Sequence, residues 1–218
     1  MYIGHLSSGE ETMISQMTKN MVKPDQILFT IKDQDAKNVT TIKTVYNERQ
    51  RYRHEQKGLR KEVQHLLKLI EHNPYVYWFK RVDTHDVVKD IMWFHPDSIK
   101  LLNAFPTMLI CDITFKMNKY RFLLLETVGV TSIEMIFFVV FSYLQSKRMN
   151  NFEWDLNKVR GLFMKDDVLP HVIVIDKDLP LMNALKVVFA FATNLLCEFY
   201  ISKNVRAKCK ILVTKAKD

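Results

Sequence analysis

An α/β fold behind a small, mostly helical N-terminal region is predicted by three patterns in this sequence. Residues 8–57 show apolar residues at helical spacing between capping signals. After residue 105, short apolar runs alternate with amphipathic stretches, which is the signature of strands interleaved with helices. Two of those runs end in a lone carboxylate. One is Met108-Leu-Ile-Cys-Asp112, and the other is His171-Val-Ile-Val-Ile-Asp176.

Bulk composition agrees with a folded chain. With 48% hydrophobic and 26% charged residues, 218 residues can bury a core, and nothing predicts wholesale disorder. Three cysteines far apart, Cys111, Cys197 and Cys209, predict reduced thiols in an intracellular setting. The N-terminus lacks the apolar core of a signal peptide, and the uncharged run from Met135 to Leu144 is too short to span a bilayer, so no membrane association is expected. Five glycines cannot build a Gly-rich nucleotide loop, which excludes P-loop and dinucleotide fingerprints.

The elements follow in order. Ser8 with Glu11 reads as a capping box for a helix to Met21, Pro24 opens a second helix to Lys32, and Thr40 or Thr41 begins a third. Ile42, Val45, Tyr46 and Tyr52 are expected on the inner side of that third helix. Lys43, Arg49, Arg51 and Arg53 are expected outward, as a helix-turn-helix recognition helix would place them against DNA; a basic helix packed on its own domain gives the same spacing. Residues 1–57 are therefore read as a helical, helix-turn-helix-like region.

Residues 58–104 are read as a connecting region. Leu59–His72 has amphipathic spacing, and Asn73-Pro74 ends it. Tyr75–Val82 and Val87–Phe94 read as a hairpin around Asp83-Thr-His-Asp86, and Pro96 starts a short helix to Asn103. From 105 to 218 the expected series is strand (Thr107–Asp112), strand (Arg121–Gly129), strand (Met135–Leu144), helix (Asn151–Met164), strand (His171–Ile175), helix (Leu179–Phe189) and strand (Thr193–Phe199). Three strands, helix, strand, helix, strand is the order of an RNase H-like mixed sheet, in which the first strand is central and the fourth lies beside it. Asp112 and Asp176 are then neighbours. Paired carboxylates can hold Mg²⁺ or Mn²⁺ for attack on a phosphodiester, although aspartates at strand ends also serve as helix caps, as Asp178 before Leu179 could.

The net charge of +8 is concentrated in two segments. Between Lys43 and Lys68 there are eight Lys/Arg against Glu48, Glu55 and Glu62, and from Lys203 onward six against Asp218. Such segments suit a polyanionic partner or are simply solvated helix faces.

From about Tyr75 to Lys210 the chain resembles the Mutator-like (MULE) transposases and the plant far-red-impaired-response-related proteins derived from them. The resemblance rests on Asp112-Ile-Thr-Phe-Lys-Met-Asn-Lys-Tyr120, Val128-Gly-Val130, Phe152-Glu-Trp154, Ile175-Asp-Lys-Asp-Leu179 with Asn183-Ala184, and Cys197 with Lys203-Asn204. It implies an RNase H-like fold, DNA as partner, a nuclear location, and a DDE/D site whose first two acids map to Asp112 and Asp176. Departures are visible. Ile175 stands where the family has Thr, and Tyr200 stands where it has the His of Cys-x-x-His. The family's third acid lies on a helix beyond a long insertion, which this chain does not reach, so the domain is expected to be incomplete at its C-terminus and frayed from Val205. Glu153 is the one candidate for a substitute carboxylate. The resemblance therefore implies a transposase-derived chain with a vestigial acid pair; the alternatives are a domesticated regulatory or protein-interaction module and an active metal-dependent nuclease.

Overall fold

A computed structural model of the chain describes residues 6–35, 37–82, 85–115, 120–165 and 167–215. They form eight helices and seven strands. The chain divides into two compact units, residues 1–69 and 70–218. The expected breaks at 57/58 and 104/105 do not coincide with that division.

The first unit contains α1 (Ser8–Lys19), α2 (Pro24–Gln34), α3 (Ile42–Lys57) and most of α4 (Glu62–Glu71). The capping box at the start of α1 is set one residue earlier than expected. Glu10 N–H donates to Ser7 Oγ at 3.3 Å, and Ser7 N–H donates to Glu10 Oε2 at 2.6 Å. Ile14, Ile27, Ile31 and Val45 make the core of the unit. Each fully buried Ile or Val contributes about 1.5–3 kcal/mol over an exposed one. Of the residues expected inward on α3, Val45 is buried, whereas Ile42 and Tyr46 are exposed.

The second unit is built on one seven-stranded sheet, mostly antiparallel. Its strands are β1 (Val76–Val82), β2 (His85–Phe94), β3 (Met108–Thr114), β4 (Leu123–Val130), β5 (Ile136–Leu144), β6 (Val172–Ile175) and β7 (Thr193–Leu196), in the order β1-β2-β5-β4-β3-β6-β7. β3 lies between antiparallel β4 and parallel β6. The expected hairpin is present, with residues 83 and 84 of its turn outside the described residues. It is not a separate connector, because β2 pairs with β5 through Ile91 opposite Tyr143 and so extends the sheet.

Alternation fixes which residues of β3 face where. Leu109, Cys111 and Ile113 point to one face, which is covered by α5 (Pro96–Ala104), α6 (Met149–Arg160) and α7 (Leu179–Val188) through Leu102, Phe152, Leu156, Val159, Leu181 and Leu185. Ile110, Asp112 and Thr114 point to the other face and are half-buried. The C-terminal segment differs from expectation. β7 stops at Leu196, and Glu198–Lys215 is the helix α8 rather than a frayed end. No helix among the described residues is long and apolar enough to cross a membrane.

Candidate functional site

Register brings the two strand-end aspartates together. Cys111 of β3 pairs with Ile175 of β6, so Asp112 and Asp176, each one residue further on, are side by side in two parallel chains. On the other flank Asp112 pairs with Glu126 of β4, and cross-strand partners share a face. Glu126 was not singled out from the sequence; the alternation of Leu123, Leu125 and Thr127 inward, which leaves Glu126 on the Asp112 face, is the signal that could have found it. Burial and the charge of Asp112 both push Glu126 above the usual carboxylate range.

Between the aspartates sits a tyrosine. Cys197 N–H donates to the Ile175 carbonyl at 2.8 Å, which ties the start of α8 to the end of β6 and sets Tyr200 in its first turn over the acids. The Tyr200 hydroxyl donates to Asp112 Oδ1 at 3.2 Å and is also within reach of Asp176. Burial, then the charges of both aspartates, push the Tyr200 phenol up to about 12. Burial and Asp112 raise Asp176, while Tyr200, Lys147 and Lys203 hold it down.

Two lysines complete the surroundings. Lys147 forms an ion pair with Asp178, and its ammonium lies 4.6 Å from the centre of the Phe115 ring. Asp178, only 3% exposed, also accepts the Leu181 N–H at 3.0 Å, so it is the N-cap of α7. Lys203 lies 5.9 Å from the Tyr200 ring.

Residues 108–204 match the MULE transposase domain. Asp112, Asp176, Lys147 and Tyr200 all fall inside that match, whereas Lys43, Arg49, Arg51 and Arg53 fall outside it. No curated protein matches the chain. Among solved structures it is weakly similar to "Crystal structure of the Mos1 Strand Transfer Complex", with 8% identity, a TM-score of 0.27, and coverage of 88% of this chain and 78% of that one.

A MULE domain with Thr before its second acid and His after its fifth strand is what the resemblance describes. Here Ile175 is fully buried in the helix-covered core, and Tyr200 places a hydroxyl against the acids. Two aspartates with a phenol against them present fewer free oxygens to a cation, and Lys147 and Lys203 add positive charge beside them. A divalent ion takes six or more oxygens, and a catalytic pair of ions takes more. Among the described residues no three acidic, histidine or cysteine side chains converge on a point that could hold a metal. As placed, the Tyr200 hydroxyl and the two ammonium groups compete with Mg²⁺ or Mn²⁺ for the acid pair. Glu153 does not mend this, since α6 covers the sheet face opposite to Asp112.

The basic residues of α3 do not share one free face. Lys43 and Arg53 are exposed. Arg51 is held by Glu48 at 2.7 Å and Glu11 at 3.1 Å, with Glu55 at 4.0 Å. Arg49 is buried, 8% exposed. Spacing on a helix gives the direction of a side chain but not its counter-charges, and Glu11, thirty-seven positions before Glu48, could not be seen from α3 alone.

Proposed function

We propose that the chain carries in residues 108–204 a transposase-derived domain of RNase H-like architecture, and that the chain contacts DNA through backbone phosphates without cleaving it. Two features support the fold part of this reading: the order β5-β4-β3-β6-β7, with β3 central, and the two aspartates at adjacent ends of β3 and β6. The observation that carries the loss of cleavage is the bond from Tyr200 to Asp112, at the position where the MULE resemblance expects histidine. Without a positioned metal, the protein lacks the alignment and charge neutralisation that in-line phosphoryl chemistry requires. The net charge of +8 belongs to the whole chain, is concentrated in residues 43–68 and from Lys203 onward, and supports contact of the chain with a polyanion. Nuclear location, and kinship with the plant far-red-impaired-response-related proteins, belong to the same proposal.

The test is a pair of assays on one duplex. Binding should weaken steeply as salt rises, and no nicking should appear with Mg²⁺ or Mn²⁺. Metal-dependent nicking that is lost in Asp112→Asn would return the active-nuclease reading.

A second reading, a protein-interaction module, is favoured by one observation. The sheet face that carries Asp112 also carries an aromatic cluster. Trp93 stacks on Phe141 at 5.7 Å and meets Tyr143 at 5.2 Å, and half-exposed Phe138 stacks on Phe141 at 4.9 Å. Aromatic surface of this kind is enriched at protein interfaces. DNA affinity that does not respond to salt would move the weight to that reading.

A further inference from the structure

One turn after another, α3 places Tyr46, Arg49, Gln50 and Arg53 along one side, and together with Pro24 they line a pocket within the N-terminal unit. Three observations bear on what it holds. Arg49 is 8% exposed, and its Nη1 is buried with no hydrogen-bond partner. Its chain neighbour Glu48, the buried acid of α3, is committed to Arg51 at 2.7 Å. Pro24 is the first residue of α2, whose N-cap, Lys23, supplies no side-chain cap, so the positive end of that helix lies at the pocket without a side-chain acceptor. The acid in its first turn, Asp25, is exposed.

A buried guanidinium without a counter-charge is costly, and the cost is met when an anion is brought to it. The planar donor fork of arginine matches tetrahedral phosphate oxygens two at a time, and the positive end of the α2 dipole at Pro24, which has no N–H of its own, favours the same charge. We infer that this pocket binds a phosphate group, held by Arg49 and Arg53, with the Tyr46 hydroxyl and the Gln50 amide as further donors. The inference stands apart from the acid pair, since every one of these residues lies outside the segment that matches the MULE domain. The phosphate can come from a small phosphorylated ligand or from a nucleic-acid backbone, and the chemistry at Arg49 is the same.

Inorganic phosphate titrated into the full chain at constant ionic strength, followed by calorimetry and by the Arg side-chain NMR signals, tests it. Saturable binding is expected, weakened about tenfold in Arg53→Gln and unchanged in Lys43→Gln, which alters an exposed charge of α3 outside the pocket. Arg53 is exposed, so Arg53→Gln folds whether or not Arg49→Met does. A wild-type chain with no saturable response, or equal responses in the Arg53→Gln and Lys43→Gln variants, would overturn the inference. A short DNA duplex that displaces phosphate and is itself weakened by Arg53→Gln assigns the source to a nucleic-acid backbone. A duplex that leaves phosphate bound assigns it to a small ligand.

Discussion

Tyr200 donates its phenolic proton to Asp112 across 3.2 Å, from the first turn of α8 to β3, an interior strand of the sheet. The bond places an O–H donor where a cation would have to approach the acid pair. It also gives the C-terminal helix a fixed point on the sheet, so electrostatics and packing at this site are one question.

The phenol itself should report the contact. Tyr200 is pushed up to about 12 from an ordinary 10.0 by burial and by the two aspartates. The folded value is the higher one, so whatever stability the group contributes is present below pH 10 and is lost as pH rises through about 12. In an ultraviolet titration, the difference between wild type and Tyr200→Phe should show a tyrosinate that forms near pH 12, and Asp112→Asn should bring it down toward 10. A difference curve centred at 10 in wild type would mean that the hydroxyl does not face the acids.

Asp155 should govern the pH dependence of stability. This α6 residue is fully buried, and burial first, then Asp90, push its carboxyl up from 3.8 to about 7, while the Ser142 hydroxyl opposes the shift. A carboxyl whose folded value is raised stabilises fully below the unfolded value and loses that contribution as pH rises through the folded one. Stability should therefore decline between about pH 4 and pH 7. Asp155→Asn should remove that slope and add on the order of 3 kcal/mol at pH 8. Denaturant midpoints across that range measure it, and a slope unchanged in Asp155→Asn would contradict the assignment.

Lys147 should matter to folding more than an exposed lysine does. Its partner Asp178 is buried and caps α7, so Lys147→Met leaves one carboxylate oxygen without a counter-charge. The lysine side chain is itself 39% exposed, which discounts the loss to on the order of 2 kcal/mol. The double variant Lys147→Met with Asp178→Asn should recover part of it, because Asn still caps a helix. Equal Tm in wild type and Lys147→Met would show the pair to be solvent-screened.

Gly129 of β4 lies under the ring of Phe137 on β5. A Cβ there would meet the ring at 2.3 Å, with two further ring atoms at 2.8 and 2.9 Å. Gly129→Ala should cost about 2 kcal/mol through overpacking, and adding Phe137→Leu should relieve it. Urea unfolding of the single and double variants decides whether the ring or the backbone sets the close approach.

Much of the sheet unit was legible because its signals are local. The apolar runs at Met108–Asp112 and His171–Ile175 have strand length, Asp178 before Leu179 offers the cap of α7, and these signals sit within the three-strand, helix, strand, helix, strand series. What could not be read depends on distant pairing. Nothing in Ile91 or Trp93 says that the β1-β2 hairpin joins β5 at Tyr143 and Phe141. Likewise Arg49 and Arg51 differ in fate because of Glu11 and Glu48, not because of their own spacing. In residues 198–215 a narrow stripe of Ile201, Val205, Cys209 and Leu212 at helical spacing lies among many charges, so a strand end and a frayed tail are expected where a helix anchored at Cys197 forms. At the acid pair, register predicted the neighbours, but Tyr200 arrives from α8 and was visible only as a departure from the MULE pattern.

We propose that Tyr200, with Lys147 and Lys203 beside it, leaves Asp112 and Asp176 unable to hold a divalent ion. Calorimetric titration of Mn²⁺ and Mg²⁺ into wild type, Asp112→Asn and Tyr200→Phe tests it most directly. No saturable binding is expected in wild type or in Asp112→Asn, with any gain confined to Tyr200→Phe. Saturable binding in wild type that Asp112→Asn abolishes would contradict it and would restore the acid pair as a working metal site.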